Sequence, residues 1–216
     1  MSHVESVNAG PAVEVPWGRK KWSAIDKRPV AGPVRVHRLG LGGDEIGDHD
    51  DHGGPDQAVY AYAREDLDVW SLELGRPLRA GEFGENLTTV GLDVQGARLG
   101  DRWRIGTVLL EVCGVRIPCS VFEGFVGESQ WVRRFVEHGV PGAYLRVLEE
   151  GELAAGDPIE VVERRDHDLT VGFALRALTT ERHLEGRLLE EPRIGARVRD
   201  RIDRHRNPRS DRTSLR

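Results

Sequence analysis

Apolar residues recur along this chain in short stretches, one of them with a clear period of two. From Val34 the order Val34-Arg35-Val36-His37-Arg38-Leu39 alternates apolar and basic, as a half-buried strand requires, and it breaks at Gly40, Gly42 and Gly43. Residues 58–62 form a second β-prone run. Val108 to Cys113, entered through Gly106, is the strongest strand pattern, and Ala143 to Leu148 and Pro158 to Val162 add two more around the turn signals at 149–152 and 156–157. Helical spacing is scarcer: Leu67, Trp70 and Leu74 share a face before Gly75, and Trp131, Phe135 and Val136 share one before Gly139. Many short strands with few helices predict a mainly β chain with inserted helices, an α+β fold built on a β-barrel rather than on a doubly wound sheet.

Beyond about Arg165 the pattern changes to three short helical stretches, Leu169 to Leu178, Glu181 to Leu189 and Ile194 to His205, broken by Gly186 and Pro192. Thr170 or Asp168 is the expected cap of the first. The predicted organisation is a β-barrel domain over 1–165, a small three-helix unit over 166–206 and a disordered tail over 207–216.

A chain of 216 residues buries a core large enough to fold without staples. Its two cysteines, Cys113 and Cys119, give no secreted disulfide framework, and alone they do not supply the four ligands of a zinc or iron–sulfur site. No signal peptide or membrane-length apolar run is evident, so a cytoplasmic location with no membrane contact is expected. The net charge of -5 conceals an asymmetry: nine arginines against three aspartates in 193–216 give +6 there and leave -11 on the rest. No aromatic residue interleaves those arginines, so nucleic acid is not an expected partner.

Candidate chemistry concentrates in four places. In Arg116-Ile117-Pro118-Cys119 a thiol leaves the strongest strand beside a permanent cation, which favours the nucleophilic, metal-binding thiolate; a buried, inert cysteine is the competing reading. The segment from Arg19 to Arg28 holds all three lysines, Lys20, Lys21 and Lys27, and suits an anion cradle or a solvated basic loop. The loop 43–54 packs five carboxylates with His49 and His52, but an EF-hand frame from Asp48 puts His52 at the fifth ligand position and Val59 at the twelfth, which excludes calcium of that type. His52 before Gly53-Gly54 instead suggests a side chain facing a cleft where bare backbone admits a ligand. Phe83-Gly84-Glu85-Asn86-Leu87-Thr88-Thr89 either binds the polar edge of a heterocycle or fixes a strand end. No dinucleotide, phosphate-loop or serine-hydrolase fingerprint occurs.

Taken in order, Ser23-Ala24-Ile25-Asp26-Lys27-Arg28-Pro29-Val30, His52-Gly53-Gly54-Pro55-Asp56-Gln57-Ala58-Val59, Phe83-Gly84-Glu85-Asn86-Leu87 and Arg116-Ile117-Pro118-Cys119 resemble the MOSC family, named for the C-terminal domain of molybdenum cofactor sulfurase, in its YiiM-type group. The resemblance covers about residues 20–165, and the helical stretch after it matches the small domain of that group. It implies a β-barrel that binds the molybdenum cofactor (molybdopterin), with Cys119 as the metal's protein ligand. It further implies Lys27 and Arg28 as donors to the cofactor's phosphate, Arg116 near the metal's other ligands, and His52, Glu85 and Asn86 lining the pocket, with Glu85 or His52 relaying protons. The chain departs from the family at Gly114-Val115, where Gln-Pro is usual, and at Gln57, where lysine is usual. The implied activity is reduction of N-hydroxylated compounds, such as hydroxylamino purines, to amines with electrons from a separate reductase. Two alternatives stand beside it: a non-catalytic carrier of the cofactor or of persulfide sulfur on Cys119, and a plain anion-binding β-barrel without metal.

Overall fold

The computed structural model describes residues 1–17, 21–48 and 53–207. In chain order its strands begin with β1 (His3–Ala9), β2 (Val13–Glu14), β3 (Trp22–Ser23), β4 (Arg28–Pro29), β5 (Val34–His37) and β6 (Gly40–Leu41). After the acidic loop come β7 (Val59–Ala63), helix α1 (Arg64–Leu74), β8 (Leu87–Val90), β9 (Arg102–Ile105) and β10 (Val108–Val115). Helices α2 (Ser120–Val126) and α3 (Trp131–His138) precede β11 (Ala143–Glu149), β12 (Gly151–Leu153) and β13 (Ile159–Glu163). Helices α4 (Val171–Leu178), α5 (Glu185–Leu188) and α6 (Ala196–Arg206) follow.

Eight strands form one sheet in the order β13-β9-β10-β11-β7-β8-β1-β4. Its pairings are antiparallel except β7 with β8, which α1 joins as a crossover. The two ends of the sheet curl toward each other. Val4 N donates to Asp157 O at 2.9 Å, Ile159 N donates to Ser2 O at 3.0 Å, and His3 bridges Pro158. The sheet therefore has the curvature of the expected barrel, with its ends meeting over one short stretch rather than along a full ladder.

Two apolar clusters organise the side chains. The larger runs from Val4, Val59, Trp103 and Leu110 in the sheet to Leu175, Leu188 and Ile202 in the C-terminal helices. The helical stretch after 165 thus shares its core with the sheet, whereas the sequence pattern suggested a unit of its own. The reason lies in α4: seven of its eight residues are buried, and a helix apolar on nearly every side must be covered on nearly every side. Thr170 caps it, its hydroxyl accepting from Phe173 N at 3.1 Å, while Asp168 pairs with Arg187. Asn207 follows α6, and the expected disordered tail otherwise lies outside the described residues. The second cluster is aromatic, with Tyr60, Tyr62, Trp70, Phe83, Phe122, Trp131 and Phe135 packing α1, α2 and α3 beside the sheet. Phe83 and Phe122 meet edge to face, with centroids 5.1 Å apart.

Among the elements that the periodicity leaves unmarked, β1 and α2 have clear physical reasons. In β1 the buried Ser6 and Asn8 break the apolar pattern, and Asn8 Nδ2 is satisfied by Thr88 Oγ1 at 3.0 Å. In α2 a mid-helix glycine lowers the helix signal, but the Trp17 ring occupies the space a side chain would need: a Cβ on Gly124 would lie 2.4 Å from Trp17 Cδ1.

Candidate cofactor site

Strand β10 carries a bulge between Val112 and Gly114 and stops at Val115. Ile117 and Pro118 lead the backbone out of the sheet, and Cys119 sits in extended conformation just before α2. Its half-buried side chain lines a cavity of about 620 Å³, and neither cysteine forms a disulfide. Cys113, inside the bulge, is chemically different. Burial pushes its thiol up to about 12, and the sulfur donates to Asp56 O at 3.2 Å, so it remains a protonated core residue at physiological pH.

Arg116 reaches the same cavity and is held from several sides. Its guanidinium lies 4.6 Å from the Phe122 ring centroid and 5.2 Å from that of Tyr60, with the Tyr144 side chain close enough to interact with its charge. Burial works against its charge, but Tyr144, Tyr60, Cys119 and Glu85 more than compensate, and its pKa stands above the ordinary value. The unusual Gly114-Val115 does not turn Arg116 away from the cavity. Gly84 helps to make room: its φ is +78°, and a Cβ there would stand 3.2 Å from Ile25 and 3.6 Å from Arg116 Nη1.

Lys27 and Asn86 meet at Asp44. Lys27, only 7 % exposed, forms an ion pair with Oδ1 of Asp44, an oxygen that also accepts from Gly10 N at 3.0 Å. Oδ2 accepts from Asn86 Nδ2 at 2.8 Å. Burial holds the Lys27 pKa below its ordinary value, Asp44 opposes that shift, and Arg116 adds to it. Asn86 also accepts from Tyr60 N at 3.0 Å, so it ties β7 to the loop carrying Asp44 while facing the cavity.

Lys27, Asn86, Arg116 and Cys119 therefore line one cavity. Arg28 does not join them. Adjacent residues in extended chain point to opposite faces, so with Lys27 inward Arg28 is outward, exposed and hydrogen-bonded to Asp26 at 2.9 Å. Glu85 is fully buried next to the cavity but faces its own turn. Its carboxylate accepts from Gly81 N at 2.5 Å, Phe83 N at 3.0 Å and Thr88 Oγ1 at 2.9 Å, which makes it the fixative of a strand end. His52 lies outside the described residues, as does His49. The glycine after it, Gly53, lines the cavity and packs closely, since a Cβ there would come within 2.4 Å of Ile46 Cδ1.

Sequence reasoning passed over Asp44 as one acid among several, and over Tyr60, Tyr144 and Phe122, which fix Arg116. The β-prone run 58–62 places Tyr60 in a strand but gives no sign that it meets Arg116. Nothing local pairs Lys27 with Asp44, which lies in a different loop.

The MOSC domain model matches residues 48–160, more than half of the chain. The chain belongs to the MOSC family. Over 174 residues it is 36% identical to the uncharacterized protein YflK of Bacillus subtilis, covering 80% of this chain and 79% of YflK. The crystal structure of YiiM from Geobacillus stearothermophilus superposes with a TM-score of 0.79 at 30% identity, over 94% of this chain and 98% of YiiM. A Gibberella moniliformis protein named "Reductase" is 32% identical over 164 residues, 73% of this chain and 29% of that protein's length. MOSC domains are associated with the molybdenum cofactor, and the donor set fits such a group. It offers a soft thiol at Cys119, cationic donors at Arg116 and Lys27, and a buried Gln57 Oε1 with no partner, in a cavity of the volume a cofactor needs. Among the described residues no helix is long and apolar enough to cross a membrane.

Proposed function

We propose that this MOSC protein holds a molybdenum cofactor through Cys119 and reduces N-hydroxylated compounds, such as hydroxylamino purines, to amines. The observation that carries the reading is the placement of Cys119 and the ring-clamped Arg116 on one cavity wall with Lys27. The overall reaction takes R–NHOH, two electrons and two protons to R–NH2 and water. When bound, the cofactor supplies the two-electron chemistry for which this chain has no flavin or cluster motif. Cys119 Sγ contributes the thiolate that anchors it. Arg116, permanently charged and held against the Tyr60 and Phe122 rings, offers donors to anionic groups on the cofactor or to oxygen on the substrate. Lys27 Nζ, whose proton is loosened by burial and retained by Asp44, is the cavity group suited to proton transfer. Glu85, with its oxygens committed to Gly81, Phe83 and Thr88, keeps the turn in place instead. The electrons come from a separate reductase, and the fungal relative named a reductase supports the reaction class.

The test is metal content and oxidised-pterin fluorescence on protein made in hosts with and without cofactor synthesis, followed by reduction of 6-hydroxylaminopurine with an artificial electron donor. Molybdenum and pterin at close to one per chain in the competent host, with turnover, is the expected result. Cofactor without turnover would make the protein a carrier, and no molybdenum in the competent host would sink both.

A further inference from the structure

A second cavity, of about 630 Å³, lies between the sheet and helix α6, and it shares Gly53, Gln57, Cys119 and Tyr144 with the first. The wall bearing Cys119 thus separates two spaces. Into the second one α6 directs Arg197, Arg201 and Arg204, spaced four and three residues apart and so on one helical face, while the buried Val198 and Ile202 fix the helix to the core. Arg197 is oriented by its Nε, which donates to Gly53 O at 3.2 Å. Among the described residues neither Arg201 nor Arg204 has a carboxylate within ion-pair distance, and Nε of Arg201 is buried without a hydrogen-bond partner.

The surrounding acids are engaged elsewhere or stand at the edge. Asp56 pairs with Arg146 at 3.1 Å and accepts from Ala196 N, Glu185 accepts from His205, and Asp200 is exposed at the rim. Burial, then Arg204 and Arg182, depress the pKa of Arg201, with only Glu185 opposing. A half-buried guanidinium left among like charges costs stability unless an anion completes it. Cys113 also borders this space, but its protonated thiol offers no nucleophile there.

We propose that this second cavity is a phosphate subsite, in which Arg197, Arg201 and Arg204 hold the phosphate monoester of a substrate whose N-hydroxylated end reaches the Cys119 wall. The preferred substrates are then nucleotides rather than free bases or nucleosides. Arginines from one helix face lining one cavity suit the planar, multidentate recognition that phosphate favours. The proposal rests on the reductase reading for the substrate's reactive end, but the binding of phosphate does not.

The test is calorimetric titration of the full-length, cofactor-free protein with adenosine 5′-monophosphate, adenosine and inorganic phosphate. The monophosphate binds at least about 10-fold more tightly than adenosine and than phosphate alone, and its affinity falls with added salt. Arg201→Gln weakens the monophosphate by about 10-fold and adenosine by less than about 2-fold. Arg204→Gln, at an exposed position, is the second variant should the first fail to fold. Equal affinities for monophosphate and adenosine, or an unchanged monophosphate affinity in the folded variant, overturn the subsite. Inorganic phosphate binding as tightly as the monophosphate overturns the substrate assignment. Loss of the reductase reading would show separately, as missing molybdenum or turnover in protein that still prefers the nucleotide.

Discussion

In the first cavity Lys27 is tied to Asp44, and Arg116 lies against the Tyr60 and Phe122 rings; across the Cys119 wall, Arg201 and Arg204 have no carboxylate partner among the described residues. The same charge type is thus handled in two ways within one molecule. Where a cation is paired by the fold, it helps hold the fold together, and removing its partner strands a buried charge. Where it is left unpaired, the folded state bears a cost that only a ligand repays. The two cavities should therefore respond oppositely to mutation.

The largest effect falls on the wall they share. Cys119→Ala removes the thiolate and lowers molybdenum retention beyond the roughly 10- to 100-fold typical of losing a supporting partner, read as metal per chain after gel filtration. Retention of metal and turnover together would refute the ligand role. Next is Asp44→Asn, which leaves Lys27 buried without its counter-charge and should cost about 3 kcal/mol in denaturant unfolding. A loss below about 0.5 kcal/mol would mean that the first cavity is no more dependent on its pair than the second.

A subtler test uses pH. Burial raises the pKa of Glu85 above its ordinary 4.5, although hydrogen bonds from Gly81, Thr88 and Phe83 oppose the shift. The folded state then binds this proton more tightly than the unfolded state, so the group's contribution is fully present below pH 4.5 and is lost as pH rises through the raised folded value. Glu85→Gln should flatten that part of the stability profile; an unchanged slope would show that the carboxylate is not the source. Smallest is Arg201→Gln, which should leave the unfolding midpoint within about 0.5 kcal/mol or raise it slightly, in contrast to Asp44→Asn. A marked loss would show that Arg201 supports the fold after all.

Much of the site was legible because its parts are local. Arg116 and Cys119 are three residues apart at the end of a strongly apolar strand, and Asn86 lies two residues after Gly84, whose bareness the site uses. Arg28 illustrates the limit of reading a basic run as one cradle: its neighbour Lys27 turns inward, and extended geometry sends Arg28 to the surface. Glu85 illustrates another, since acid beside amide in a turn suits a pocket or a clamp equally until its three donors are seen. Asp44, Tyr60 and Tyr144 act on Lys27 and Arg116 from distant parts of the chain, and no spacing rule encodes such meetings. The helical stretch was visible as helices, but its dependence on the sheet was not, because periodicity shows which residues are apolar and not what covers them.

The core shared by the sheet and the C-terminal helices also sets an order of events during synthesis. Helix α6 forms one side of the second cavity, yet it leaves the ribosome about 80 residues after Cys119, at the synthesis rates of roughly 5–20 residues per second a delay of several seconds. Until α6 docks through Val198 and Ile202, the second cavity beside Cys119 lacks the wall that α6 supplies. The nascent chain thus keeps Cys119 in an unfinished setting until helix α6 arrives to complete it.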